Sequence, residues 1–390
     1  MEEEHKLPFE NLNTTRGSLL HFFFAGQNRA RNIRKPRPII AYLTIVAVTY
    51  LPLFLFNLNN IHSELGFTNG YKLPFLADWN VFFMFFISLP LLVAFASTDE
   101  HLLITALGRL VKEDILSISV EDADELCNNW TQRFARTNII AQLIGLVVGM
   151  TLTWANYKVY TPPDVGFWIA SNGKLEPSGY IFLYCIFLFY ALIPIYVLRS
   201  NTIIRFLYAL VNKAKIKIIP FHPDHCGGLR PVGSIGLRHQ YILSVFGINV
   251  LLLVIISITF LSIPSGLYIL IVVAITSYLI LGPFVFLGPL LPFRGGMLRS
   301  KNELMSIVAK RLRVELINIR QIIIDGNLTS DEEELVERLR KIGALIEQLP
   351  VWPFDSRTLR RFVTAYVIPI VGSLGYAAIS GLIGALIKKM

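Results

Sequence analysis

The sequence predicts an all-α integral membrane protein with seven transmembrane helices, a cytoplasmic N-terminus and a C-terminus outside. Three observations carry this. Of 390 residues, 54% are hydrophobic and only 16% charged, against roughly 25% charged in soluble domains. Several apolar runs reach the roughly 17–25 residues that cross a bilayer as helix. The 36 Lys and Arg gather in alternate connections. With the N-terminus inside, 31 lie in inner segments and 5 in outer ones, as the positive-inside rule requires. The spans fall at 39–58, 80–96, 138–155, 180–198, 241–263, 267–292 and 362–387. This is the pattern of a multi-pass protein of the cell membrane.

Residues 1–38 form a cytoplasmic segment, acidic at Glu2, Glu3 and Glu4 and basic from Arg29 to Arg37. Its apolar patch Leu19-Leu-His-Phe-Phe-Phe24 reads as an interfacial helix on the headgroups. The first 28 residues lack a basic, apolar, small-residue signal pattern, so the first span is expected to direct insertion. Residues 39–293 hold six spans and two inner loops, 97–137 and 199–240. The first loop opens with Ser97-Thr-Asp-Glu100, a capping box that predicts a helix restarting at the membrane edge. Its acidic run from Glu121 to Glu125 reads as a solvated helix start.

Residues 294–361 predict a cytoplasmic helical hairpin between helices six and seven. Apolar residues from Leu304 to Ile323 recur every three or four positions, and Asp325-Gly-Asn327 breaks the pattern. Thr329-Ser-Asp-Glu332 then caps a second helix. Leu335, Leu339, Ile342, Ile346 and Leu349 form a heptad seam on it, which can close on the partner helix or on another subunit. Residues 362–390 carry the seventh span. There Ser373, Ala377, Gly381 and Ala385 repeat every four residues, a spacing that lets helices approach closely in lipid. Two readings follow, packing within one subunit or packing between subunits with this helix lining a pore.

Function classes narrow by charge. The net charge of +9 sits beside apolar spans, with no aromatic-basic platform or zinc-finger spacing, which excludes nucleic acid as a partner. Three cysteines do not make a disulfide framework. No Lys, Arg, Asp or Glu falls within a span. That counts against a carboxylate relay, an intramembrane aspartyl enzyme and a voltage sensor, and leaves a pore lined by hydroxyls, amides and backbone. Helix six ends in Pro283, Pro289 and Pro292 with Gly282 and Gly288, and reads as a kinked exit into the hairpin.

The loop Ile218-Ile-Pro-Phe-His-Pro-Asp-His-Cys-Gly-Gly-Leu-Arg230 carries the densest chemistry. His222, Asp224 and His225, with Cys226, are ligand types for zinc or another divalent metal, and a Cys-His pair could make a nucleophile. No third orienting group is identifiable, so no catalytic residue is assigned. The other reading is a turn shaped by Gly227 and Gly228, with Asp224 capping backbone N–H groups.

His222-Pro-Asp224 followed by Gly227-Gly-Leu229 resembles a loop of uncharacterised bacterial multi-span membrane proteins, placed there too just before a spanning helix. The resemblance points to His222, Asp224, Gly227 and Gly228. By topology alone the chain resembles insect chemoreceptor channels, which implies a tetrameric cation channel with its last helix lining the pore. The leading expectation is a homo-oligomeric, ligand-responsive membrane pore. A membrane-anchored metal-dependent enzyme or sensor, and a structural or partner-binding protein, are the competing readings. The ligand is not legible.

Overall fold

The computed structural model describes residues 9, 11–18, 37–65, 75–162, 168–171, 173–219, 222–259, 265–325 and 330–387; the side chains of 59–65, 77, 171, 257–259, 265–268, 270, 318–325, 330–333, 373–374 and 376–387 fall outside that description. The 19–24 patch lies outside the described residues. The rest is almost wholly helical. Helices α1 (Pro38–Val48) and α2 (Tyr50–Leu65) meet at Thr49. A short α3 (Trp79–Phe82), a π-helical turn (Phe83–Ser88) and α4 (Leu89–Lys112) run on as one. After β1 (Leu116–Ser117) come α5 (Val120–Tyr160), the β2 (Ala170–Ser171) and β3 (Lys174–Leu175) pair, α6 (Pro177–Lys213) and β4 (Lys215–Ile216). The chain finishes with α7 (Arg230–Thr259), α8 (Ser265–Leu287), α9 (Leu291–Asp325), α10 (Ser330–Glu347) and α11 (Ser356–Ile387).

Among the described residues, five helices are long and apolar enough to cross a membrane, and the α8–α9 pair, bent by 41°, makes a sixth. Lipid-facing stripes follow from the helical period. On α5, Ile139, Leu143, Val147 and Met150 are exposed, three or four residues apart on one side. The opposite side meets α6, where a Cβ on Gly145 would stand 2.4 Å from the Ala191 carbonyl oxygen. Only glycine permits that approach.

At 41 residues, α5 is roughly 60 Å long, about twice the hydrocarbon core. The surplus of α4, α5, α6 and α9 builds a layer at the Lys/Arg-rich end, hereafter the basic end. Its core is soluble-like, with Phe9, Leu107, Phe134, Phe206, Val232, Phe286 and Met297 all buried. The pairing of β1 with β4, antiparallel through Leu116 and Ile216, ties the end of α4 to the end of α6.

One expectation changes here. Helix α4 does not restart at Ser97. Ser97 Oγ and Thr98 Oγ1 donate back to the carbonyls of Ala94 and Phe95. Glu100 Oε2 instead accepts from the Thr14 and Thr15 N–H groups at 2.7 and 3.1 Å, open donors of the N-terminal segment that a cap within α4 would leave unmet. A buried charge sits at the edge of the fourth span. Arg199, just past the fourth span, is only 3% exposed and donates to the Ala96 carbonyl at 3.0 Å and to Thr14 Oγ1 at 3.1 Å.

The acidic start of α5 is a capped helix start. Ser119 Oγ accepts from the Asp122 N–H at 3.1 Å and donates to its carboxylate, and Glu125 pairs with Lys213 at 2.8 Å near the end of α6. Helices α9 and α10 pack as a hairpin, tied at its base by Lys301 Nζ donating to the Glu347 carbonyl at 2.6 Å. The seam closes there, with Ile346 and Leu349 buried, while Ile342 is 45% exposed.

Prolines leave carbonyls open within three of the helices. A helical proline cannot donate to the carbonyl four residues back, and in lipid that carbonyl needs another donor. Tyrosines supply it. Tyr42 donates to Phe86 O, opposite Pro90, at 2.6 Å. Tyr366 donates to Leu279 O, which Pro283 leaves open, at 2.8 Å. Tyr278 donates to Ala365 O, which Pro369 leaves open, at 3.4 Å, and to Tyr366 O at 3.2 Å.

Candidate functional site

The 222–230 loop is a carboxylate-centred turn. Asp224 Oδ1 accepts from the N–H groups of Cys226 and Gly228 at 2.9 and 3.0 Å, and Oδ2 from that of Arg230 at 3.1 Å. His222 Nδ1 lies 2.7 Å from Oδ1. Burial alone would raise the Asp224 pKa, but the three N–H groups and His222 outweigh it and hold the carboxyl below its usual value. Gly227 and Gly228 have φ of 65° and 93°. A Cβ on Gly228 would stand 2.1 Å from Ile115 Cδ1, so the glycines serve both the turn and its seating on the β1–β4 region.

The structure thus brings His222, Asp224, Gly227 and Gly228 together. His225 is exposed, at φ 56°, its N–H bonded to the His222 carbonyl at 3.0 Å. Among the described residues no three His, Cys, Asp or Glu gather to hold one ion. Cys226 is buried, and burial, with Asp224 beside it, pushes its thiol up to about 12. Such a thiol carries almost no thiolate at neutral pH.

A second feature escaped sequence reading. A cavity of 280 Å³ lies among α3, α5, α6, α7 and α8. Its wall is mostly apolar, with Phe189, Phe246 and Leu253 prominent. Three polar atoms on lining residues, Asn80 Oδ1, Asn249 Oδ1 and the Tyr196 hydroxyl, are buried without a hydrogen-bond partner. Asp78 closes one end, caps α3 by accepting from Val81 N–H at 3.1 Å, and accepts from Trp168 Nε1 at 3.1 Å. Burial pushes its carboxyl up to about 6 against the pull of those donors. An apolar cavity of about 150 Å³ can hold benzene, so this one has room for a one- or two-ring molecule with a polar group.

Tyr278 belongs to the same wall. Its ring stacks on Tyr366 of α11 at 5.5 Å, and Tyr366 continues through Phe362 to Phe286 at centroid spacings of 5.7 and 4.1 Å. Tyr278 therefore connects the cavity wall to the last helix. Ser373, Ala377, Gly381 and Ala385 lie further along α11, which stays helical to Ile387; their side chains are outside the described residues. The signal for the cavity was thin in the sequence, isolated amides such as Asn80, Asn156 and Asn249 in otherwise apolar runs.

Comparison with protein-family models, curated proteins and solved structures gives no match, so the functional reading rests on the residues of this chain.

Proposed function

We propose that the protein is a ligand-responsive membrane pore, a homo-oligomer with its N-terminus in the cytoplasm and its seventh span, α11, near the pore axis. A small, mainly apolar molecule bearing one polar group occupies the 280 Å³ cavity. The observation that carries the reading is the contact of the cavity-wall residue Tyr278 with α11 at the carbonyl that Pro369 leaves open. A proline inside a helix is a natural hinge, and a ligand that favours one setting of Tyr278 shifts the population of α11 conformations. Orientation rests on the Lys/Arg distribution, and the place of α11 on its small-residue repeat.

Purified protein in planar bilayers tests this, with indole, phenol and benzyl alcohol as probes over a range of potentials, beside a measurement of subunit number. The proposal expects probe-dependent conductance from an oligomer. No conductance together with a strictly monomeric particle refutes it.

A further inference from the structure

A smaller cavity of 150 Å³ lies between α4 and the first turns of α7. It is chemically the opposite of the first. Asp99, Thr105 and Arg109 face it from α4, and Arg238 and His239 from α7. Asp99 and His239 are 6% and 2% exposed. Arg238 Nε lies 3.3 Å from Asp99 Oδ1, too poorly aligned for a hydrogen bond. Asp99 and Arg238 thus form an ion pair without a hydrogen bond, Asp99 Oδ2 lies 4.0 Å from His239 Nε2, and His239 Nδ1 has no hydrogen-bond partner. The Arg238 guanidinium is held in place by the carbonyl of Phe95 at 3.2 Å, by Thr98 Oγ1, and by the Phe95 ring 4.6 Å beneath it. Arg109 is exposed and has no ion pair among the described residues.

Two permanent cations and one carboxylate line the slot, so its charge is in excess positive. We infer that this slot binds a small oxyanion, a carboxylate or a phosphate, between Arg109 and Arg238. The Thr105 hydroxyl and His239 complete the contacts. Asp99 repels a second negative group from the deepest position and keeps the anion toward Arg109. At 150 Å³ the slot is about the size of a cavity that holds benzene, which admits inorganic phosphate or a short carboxylate. The site is independent of the pore reading.

Isothermal titration of the full chain in phosphatidylcholine nanodiscs tests it, with inorganic phosphate and acetate as probes. At least one probe should bind saturably, one per chain. Arg109→Gln should weaken it about tenfold, the loss of one charge-assisted hydrogen bond, and Thr105→Val by less. Arg313→Gln, an exposed arginine on α9, should leave it unchanged. A parallel set of nanodiscs containing phosphatidic acid separates the sources. If a lipid phosphate is the occupant, these discs abolish binding of the free probe to the unsubstituted chain only. If a soluble anion is, the titration is unaltered. Folded protein that binds neither probe in either disc, or an Arg313→Gln effect equal to that of Arg109→Gln, overturns the assignment.

Discussion

Tyr278 of α8 and Tyr366 of α11 each donate a hydroxyl to the other's helix at a carbonyl that a proline has left open. Their rings stack at 5.5 Å with 21° between planes. The exchange is reciprocal, so removing either hydroxyl orphans a carbonyl in the partner helix. Tyr278→Phe and Tyr366→Phe should each cost about 1 kcal/mol. Their effects should not add, because both act on one contact. Denaturant titrations of the two single variants and the double variant measure this.

How much of this was legible in the sequence depended on the distance between partners. Most of the apolar spans, the hairpin and the helix start of α5 were readable because run length, heptad spacing and the acidic run from Glu121 to Glu125 are local signals. The turn around Asp224 was readable for the same reason, as its donors lie two to six residues away. Ser97-x-x-Glu100 misled because the true partner of Glu100 is Thr14, 86 positions distant. The tyrosine exchange spans 87 positions, and the cavity is assembled from five helices with one or two polar residues on each. Periodicity carries no trace of such pairings.

The loop is held chiefly by Asp224, so substitutions there should rank by how many donors they strand. Asp224→Ala leaves three N–H groups without their acceptor and should cost about 3 kcal/mol or more. His222→Ala removes one partner of a carboxylate that keeps the rest, and should cost about 1 kcal/mol. Thermal unfolding of both variants, with and without a chelator, checks the ranking. Chelation should not move the midpoint of the unsubstituted protein.

Glycines in two settings should respond in opposite directions. Gly228→Ala places a methyl 2.1 Å from Ile115 Cδ1 at a φ of 93°, and should destabilise by about 2 kcal/mol or more. Gly295→Ala, in α9 with nothing within 4 Å, should stabilise by about 0.5–1 kcal/mol through helix propensity. Unfolding midpoints of the two variants decide.

Asp78 gives stability a pH dependence. Its carboxyl is pushed up to about 6 in the folded chain, from about 3.9 when unfolded. The folded state therefore holds the proton more tightly. The stabilisation is full below pH 4 and is lost as pH rises through 6. The thermal midpoint should fall by about 2 °C or more between pH 5 and 7. Asp78→Asn, neutral throughout, should lose that step.

The central claim is that Tyr278 and Tyr366 transmit occupancy of the cavity to α11. Its most direct test is single-channel recording of the unsubstituted chain, Tyr278→Phe and Tyr366→Phe during a titration with indole. The account predicts an unchanged unitary conductance in all three and a half-maximal indole concentration shifted about fivefold in both variants, as a contact of about 1 kcal/mol requires. Indole-evoked openings with the same half-maximal concentration in all three proteins would contradict it.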